Sequence, residues 1–206
     1  MYARSTTIHG VPEQVDAGMV YTRDKVMPAL MGMDGYVGMS MLADRATGRC
    51  IITSSWVDRE AMRRSTDAVK GLRARATDIL RGPAEVQEWR IAVLHRLHEA
   101  PDTACTRVIW TRHAPARIDH AIDAFGVSVV PRISNLPGFC SVSSFVDHDA
   151  GRAATAITYA DRAAMEAVAE QAAALREEFT RQTGGQVEEV ATFELALAHL
   201  RVPETV

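Results

Sequence analysis

The sequence predicts an α+β fold made of two tandem β-α-β-β-α-β units packed sheet to sheet around a barrel-like core. Three observations lead there: an internal repeat, the same order of strand and helix patterns in both copies, and strand stretches that are apolar on both faces. Sliding the chain over itself by 103 residues aligns Pro12 with Pro115, Gly35 with Gly138, Gly48 with Gly151, Asp58 with Asp161 and Arg73 with Arg176. Over positions 12–82 this register gives 17 identities in 71 pairs, or 24%. A one-residue slip then aligns Trp89 with Phe193 and His95 with His199. Repeats of this kind mark duplicated structural units. The units are 1–98 and 104–206, with 99–103 as the linker.

The elements follow in order. Residues 2–9 read as a strand. Pro12 suits the first turn of a helix. Val15, Met19, Val26 and Leu30 keep helical spacing, as do Ile118, Ile122, Phe125, Val129 and Ile133. Gly35 ends that segment. Residues 36–42 and 50–56 read as two strands joined by the turn-rich stretch 44–49. Asp58 is placed to cap the next helix. Its apolar face is Met62, Val69, Leu72, Ala76 and Ile79, repeated as Met165, Val168, Ala172, Leu175 and Phe179. Gly82, or Gly184-Gly185 in the second copy, stops the helix. Trp89, Ile91 and Val93 alternate as a closing strand, matched by Phe193, Leu195 and Leu197. This order is ferredoxin-like, a four-stranded antiparallel sheet with two helices on one face. Stretches such as Ile51-Ile52 and Ile91-Ala92-Val93-Leu94 are apolar on both faces, so each sheet needs a cover on its bare side, and the other copy supplies it.

The strings Met33-Asp34-Gly35-Tyr36 and Thr53-Ser54-Ser55-Trp56-Val57-Asp58-Arg59-Glu60-Ala61-Met62 recur as Leu136-Pro137-Gly138-Phe139 and Ile157-Thr158-Tyr159-Ala160-Asp161-Arg162-Ala163-Ala164-Met165. This pattern resembles the antibiotic-biosynthesis-monooxygenase family of dimeric α+β barrel proteins, and the resemblance covers nearly the whole chain twice. It implies a fused dimer, two ferredoxin-like units forming an intramolecular dimeric α+β barrel. It also implies a cofactor-independent monooxygenase-like protein acting on a small aromatic or polyketide-like substrate. A non-catalytic small-molecule-binding or stress-associated protein of the same fold is the alternative. Haem degraders of that family use an Asn, a Trp and a His on the second helix. Here the only Asn is Asn135, and Ser65-Thr66 or Val168-Ala169 stand where the His would be.

Within that resemblance, His95 and His9 are the candidate bases, since a His near its ordinary pKa accepts a proton at neutral pH. A strand-end His bonded to backbone is the structural alternative for His95. Trp56 is either a stacking or hydrogen-bonding wall for a flat ligand or a core side chain. Tyr36, Ser40, Met27, Met39 and Tyr159 are the candidate substrate-binding residues. Seven of the methionines after Met1 fall in the first copy and only Met165 in the second. Met lines adaptable apolar cavities, so the expected pocket is in the first copy, with the second as support.

Composition bounds the rest. Lys+Arg 23 against Asp+Glu 26 gives a net charge of −3, which removes the case for a dedicated nucleic-acid binder. Cys50, Cys105 and Cys140 are too widely spaced for a disulfide framework or zinc knuckle, so a reducing cytoplasm is expected. No apolar run approaches the roughly 18 residues that cross a membrane. His95 and His98 would point to opposite faces of a strand, so no metal site is expected. No GxGxxG, P-loop or GxSxG occurs, so no nucleotide cofactor is expected. The expected partners are a small apolar or aromatic molecule and, at most, a second chain in a homo-dimer of pseudo-dimers.

Overall fold

The computed structural model describes residues 1–200, so the end of the second predicted unit, 201–206, lies outside the described residues. The chain separates into two compact units, Met1–Arg90 with the end of the last strand from Glu194, and Ile91–Phe193.

Unit 1 begins with β1 (Tyr2–His9), a single turn at Pro12–Gln14, α1 (Val15–Tyr21), a π turn over Thr22–Val26 and α2 (Met27–Met31). β2 (Tyr36–Ala43) and β3 (Arg49–Trp56) form the hairpin. Two helices follow, α3 (Arg59–Arg64) and α4 (Thr66–Leu80). Unit 2 repeats the series: β5 (Cys105–Arg112), α5 (Ile118–Ala124), a π turn over Phe125–Val129, α6 (Val130–Ser134), β6 (Phe139–Asp147), β7 (Arg152–Tyr159), α7 (Arg162–Ala167) and α8 (Ala169–Thr183). Two long strands, β4 (Ala84–Arg96) and β8 (Gln186–Leu200), each contribute residues to both units.

The hydrogen-bonded strand order is β4-β1-β3-β2-β8 in unit 1 and β8-β5-β7-β6-β4 in unit 2. No helix among the described residues is long and apolar enough to cross a membrane.

Local chemistry explains the boundaries. Gly35 and Gly138 turn the chain into β2 and β6 at φ 78° and 76°, a left-handed conformation that glycine adopts without strain. Asp58 caps α3 by accepting the Ala61 amide at 2.7 Å, and Asp161 accepts the Ala164 amide at the same distance. The stop of α4 differs from the sequence reading. Arg81, not Gly82, takes the left-handed cap at φ 57°, where its equivalent Gly184 has φ 73°. Gly82 serves close approach instead, because a Cβ there would collide with the His9 carbonyl oxygen.

Each unit buries one face of its sheet under its helices. In unit 1, Ile8, Met39, Met41, Ile52 and Trp56 pack with Leu30, Ala76 and Leu80. In unit 2, Ile109, Phe139, Val142, Ile157 and Tyr159 pack with Phe125, Ile133 and Leu175.

Candidate functional site

Side chains alternate along a strand, so Arg107, Ile109 and Thr111 of β5 share the helix-facing side. β7 runs antiparallel with Cys105 opposite Tyr159, Arg107 opposite Ile157 and Ile109 opposite Thr155. Arg107 therefore lies diagonally across from Tyr159 on one face. Phe125, Val129 and Ile133 come down from the first helical run, and Leu175, Arg176 and Phe179 from α8. Together they line a cleft. The π turn supplies Phe125 and Val129, and such turns are frequent at functional sites. Phe125 and Phe179 meet edge to face at 5.7 Å.

Tyr159 is among the residues that line this cleft. Tyr159 is 1% exposed, and the hydroxyl has no hydrogen-bond partner among the described residues. A buried hydroxyl left in this state costs about 1–3 kcal/mol, and an acceptor or donor on a ligand would remove that cost. Burial raises the Tyr159 pKa, and the Arg107 charge opposes the rise.

Unit 1 holds a cleft in the corresponding place, lined by Arg4, Thr6 and Ile8 of β1, Ile52 and Ser54 of β3, Val26 and Leu30, and Val69, Leu72, Arg73 and Ala76 of α4. Its chemistry differs. Arg4 is 4% exposed. Its guanidinium donates to Glu88 Oε1 from Nε at 3.3 Å and from Nη2 at 3.0 Å. Nη1 donates to Ser65 Oγ at 3.0 Å, and Nη2 also reaches the Met62 carbonyl and Thr66 Oγ1, both at 2.9 Å. Val168 and Ala169 stand at the positions of Ser65 and Thr66 in unit 2, so Arg107 has no such hydroxyl cradle. Arg73 has its pKa lowered, first by burial and then by the charge of Arg4.

No family model matches the chain. The uncharacterized proteins Rv2557 and Rv2558 of Mycobacterium tuberculosis are 45% and 46% identical to it over 206 and 207 residues. The matches take in 100% of this chain and 92% and 88% of those proteins. The chain belongs to the Rv2557/Rv2558 family. Among solved structures, this Rv2557/Rv2558-family chain is similar to a provisionally named monooxygenase from Fusobacterium nucleatum, with a TM-score of 0.73 and 13% identity over 97% of this chain and 94% of that one. It is also similar to an anthrone oxidase-like protein, with a TM-score of 0.67 and 12% identity over 97% and 93%. A Listeria monocytogenes ferredoxin-fold protein related to antibiotic biosynthesis monooxygenases gives 0.53 and 10% over 95% and 94%. At such identities the likeness is one of fold.

The candidate residues of this Rv2557/Rv2558-family chain fall in different places. Tyr159 lines the unit 2 cleft. Trp56 is 0% exposed and belongs to the core. Its indole Nε1 donates to Ser54 Oγ at 3.1 Å, so it reaches the unit 1 cleft only through Ser54. Tyr36 sits edge-on to Trp56 at 5.9 Å. Met39 is in the same core and Met27 packs against it; neither is part of the cleft wall. Ser40 faces the other side of the sheet, since Met39 and Met41 pair with the cleft-lining residues Ser54 and Ile52 while Ser40 pairs with Thr53. His9 is exposed at the end of β1, its Nε2 3.9 Å from Glu85 Oε1. His95 stacks on Phe139 at 6.2 Å. Neither His is among the residues lining these two clefts.

The cleft arginines were not singled out from sequence, yet a signal existed. Arg73 and Arg176 are an identical pair in the repeat, and Arg4 and Arg107 obey the same offset. Arg73 and Arg176 are charged residues retained within otherwise apolar helix stripes.

Proposed function

We propose that the protein is a monooxygenase-like small-molecule binder that seats a flat aromatic molecule, polyketide-like in bearing a ring hydroxyl or carbonyl, in the unit 2 cleft. It would do so without a metal or a bound organic cofactor. The single observation that carries this reading is the buried, unpartnered hydroxyl of Tyr159, a residue that lines an aromatic-edged cleft. Phe125 and Phe179 offer ring edges to a planar ligand, and Arg107 would favour its oxygen in anionic form.

Oxidation by dioxygen is a second reading, favoured by the placement of Arg107 beside Tyr159. Among the described residues lining this cleft there is no His, Asp or Glu, so the substrate must ionise readily and lose its proton to solvent. An anthrone does so. Its anion would give electrons to dioxygen, one oxygen atom becoming the new ring carbonyl and the other leaving as water.

Titration with anthrone, followed by intrinsic fluorescence, tests the binding reading. Wild type is expected to bind, and Tyr159→Phe to weaken binding by about tenfold, as expected for one buried hydrogen bond. Oxygen uptake above the spontaneous rate, lost in Arg107→Met, supports turnover. Binding without uptake makes the protein a non-catalytic binder, and absence of binding defeats the proposal.

A further inference from the structure

We infer that unit 1 carries a second and chemically different site: its cleft takes an aliphatic carboxylate, and Arg73 is the residue that holds the acid group. The inference concerns the other unit and another ligand class, so it does not rest on the reading of the unit 2 cleft.

The wall of the cleft is the first argument. It is built from branched aliphatic side chains, among them Ile8, Val26, Leu30, Ile52 and Leu72, and among the described residues no aromatic ring lines it. The equivalent cleft carries Phe125, Phe179 and Tyr159. In the repeat register, Thr22 stands for Phe125 and Ala76 for Phe179. An aliphatic wall without ring edges suits an alkyl chain better than a planar ring system.

Charge is the second argument. The cleft holds two guanidinium groups, Arg4 and Arg73. Glu88 is already committed to Arg4 at 3.0 Å, and Ser65, Thr66 and the Met62 carbonyl also accept from Arg4. Arg73 is different. Its Nε is shielded from solvent and has no hydrogen-bond partner among the described residues. Burial and the neighbouring Arg4 charge both work against its charged form. A ligand carboxylate placed against Arg73 would accept the Nε–H and a terminal N–H together, the fork geometry that guanidinium offers to planar anions. It would also add a second negative charge beside two guanidinium groups that now share Glu88 alone.

The test is isothermal titration of the full chain with decanoate and with 1-decanol, which share an alkyl chain and differ in the charged end. Decanoate is expected to bind about tenfold tighter than 1-decanol, or more, because a charge-assisted pair is formed. Arg73→Met should bring the two affinities within about twofold, and Arg73→Lys should keep part of the preference. Tyr159→Phe and Arg107→Met, in the other cleft, should leave it unchanged. Circular dichroism checks that each variant is folded. Failure of wild type to bind decanoate, equal binding of the acid and the alcohol, or a preference that survives Arg73→Met would overturn the proposal. So would a preference that vanishes in Tyr159→Phe.

Discussion

Tyr36 stacks on His199, ring centroids 6.3 Å apart and planes 8° from parallel, although one residue lies in the first copy of the repeat and the other in the second. His95 and Phe139 repeat the arrangement with the copies reversed, at 6.2 Å and 24°. The last strand of each copy therefore completes the compact unit of the other. β8 covers the edge of β2 from Gly38 opposite Leu200 to Ala43 opposite Glu194. A fragment ending at residue 98 would leave that edge open, and an open edge invites pairing with another chain. Light scattering is expected to find the fragment dimeric or larger. In the full chain, His199→Ala should lower stability by about 0.5–1.5 kcal/mol, the usual worth of an aromatic pair, as read by urea unfolding. A monomeric, folded fragment would show that β8 is dispensable to unit 1.

The strands and the helices were legible in sequence because each rests on local signals. Pro12, Gly35 and Asp58 act through their own backbone or the next turn, and all three recur in register. The exchange of strand ends was not legible. β4 and β8 read as single strands by alternation, and nothing in alternation says which neighbour each half pairs with. Face assignments near Tyr36 were also hidden. A register shift between Tyr36 and Gly38 breaks the alternation, so Tyr36 pairs with Trp56 and Met39 with Ser54 on the helix-facing side. The clefts were least legible. Arg4 and Arg73 come from a strand and a helix far apart in the chain, and only the packing of one on the other makes a site.

Arg81 and Gly82 predict opposite outcomes from neighbouring substitutions. Arg81 is exposed and holds φ 57° at the end of α4, a conformation that costs a side-chain-bearing residue about 1 kcal/mol. Arg81→Gly should therefore raise stability by about 0.5–1 kcal/mol. Gly82→Ala should lower it by about 2 kcal/mol or more, because the new methyl meets the His9 carbonyl oxygen rather than a yielding side chain. Thermal unfolding of the two variants distinguishes these signs. A loss of stability in Arg81→Gly would mean that its side chain, not its backbone, matters there.

His113 predicts a pH dependence. It is 5% exposed, its Nε2 is 3.1 Å from Thr111 Oγ1, and burial followed by the Arg117 charge lowers its pKa. The unfolded chain takes up a proton as pH falls through about 6.5, whereas the folded chain resists until its lower pKa is reached. The associated stability is present in full above about pH 6.5 and is lost as pH falls toward the folded value. His113→Gln removes the titrating group. The difference in unfolding free energy between pH 7 and pH 5 should be smaller in that variant than in wild type. An unchanged difference would assign the acid sensitivity to other groups.

Arg4 and Glu88 predict a non-additive pair. Removing Glu88 alone leaves a guanidinium at 4% exposure facing Arg73 without its carboxylate, and stranding a buried charge costs about 3–5 kcal/mol when water is fully excluded. Glu88 itself is 39% exposed, so water screens part of the pair and about 2–3 kcal/mol is the better expectation for Glu88→Gln. Arg4→Met removes the cation instead. It strands little, because Ser65 Oγ still donates to the Met62 carbonyl at 2.7 Å and Glu88 can turn to solvent. It also relieves the repulsion on Arg73. Its cost should be the smaller of the two, and the double variant should be more stable than the sum of the single losses by about 1–2 kcal/mol. Urea unfolding of the four proteins completes the cycle. Strict additivity would show that Arg4 is held by its hydroxyl and carbonyl partners alone and that the Glu88 charge contributes nothing to unit 1.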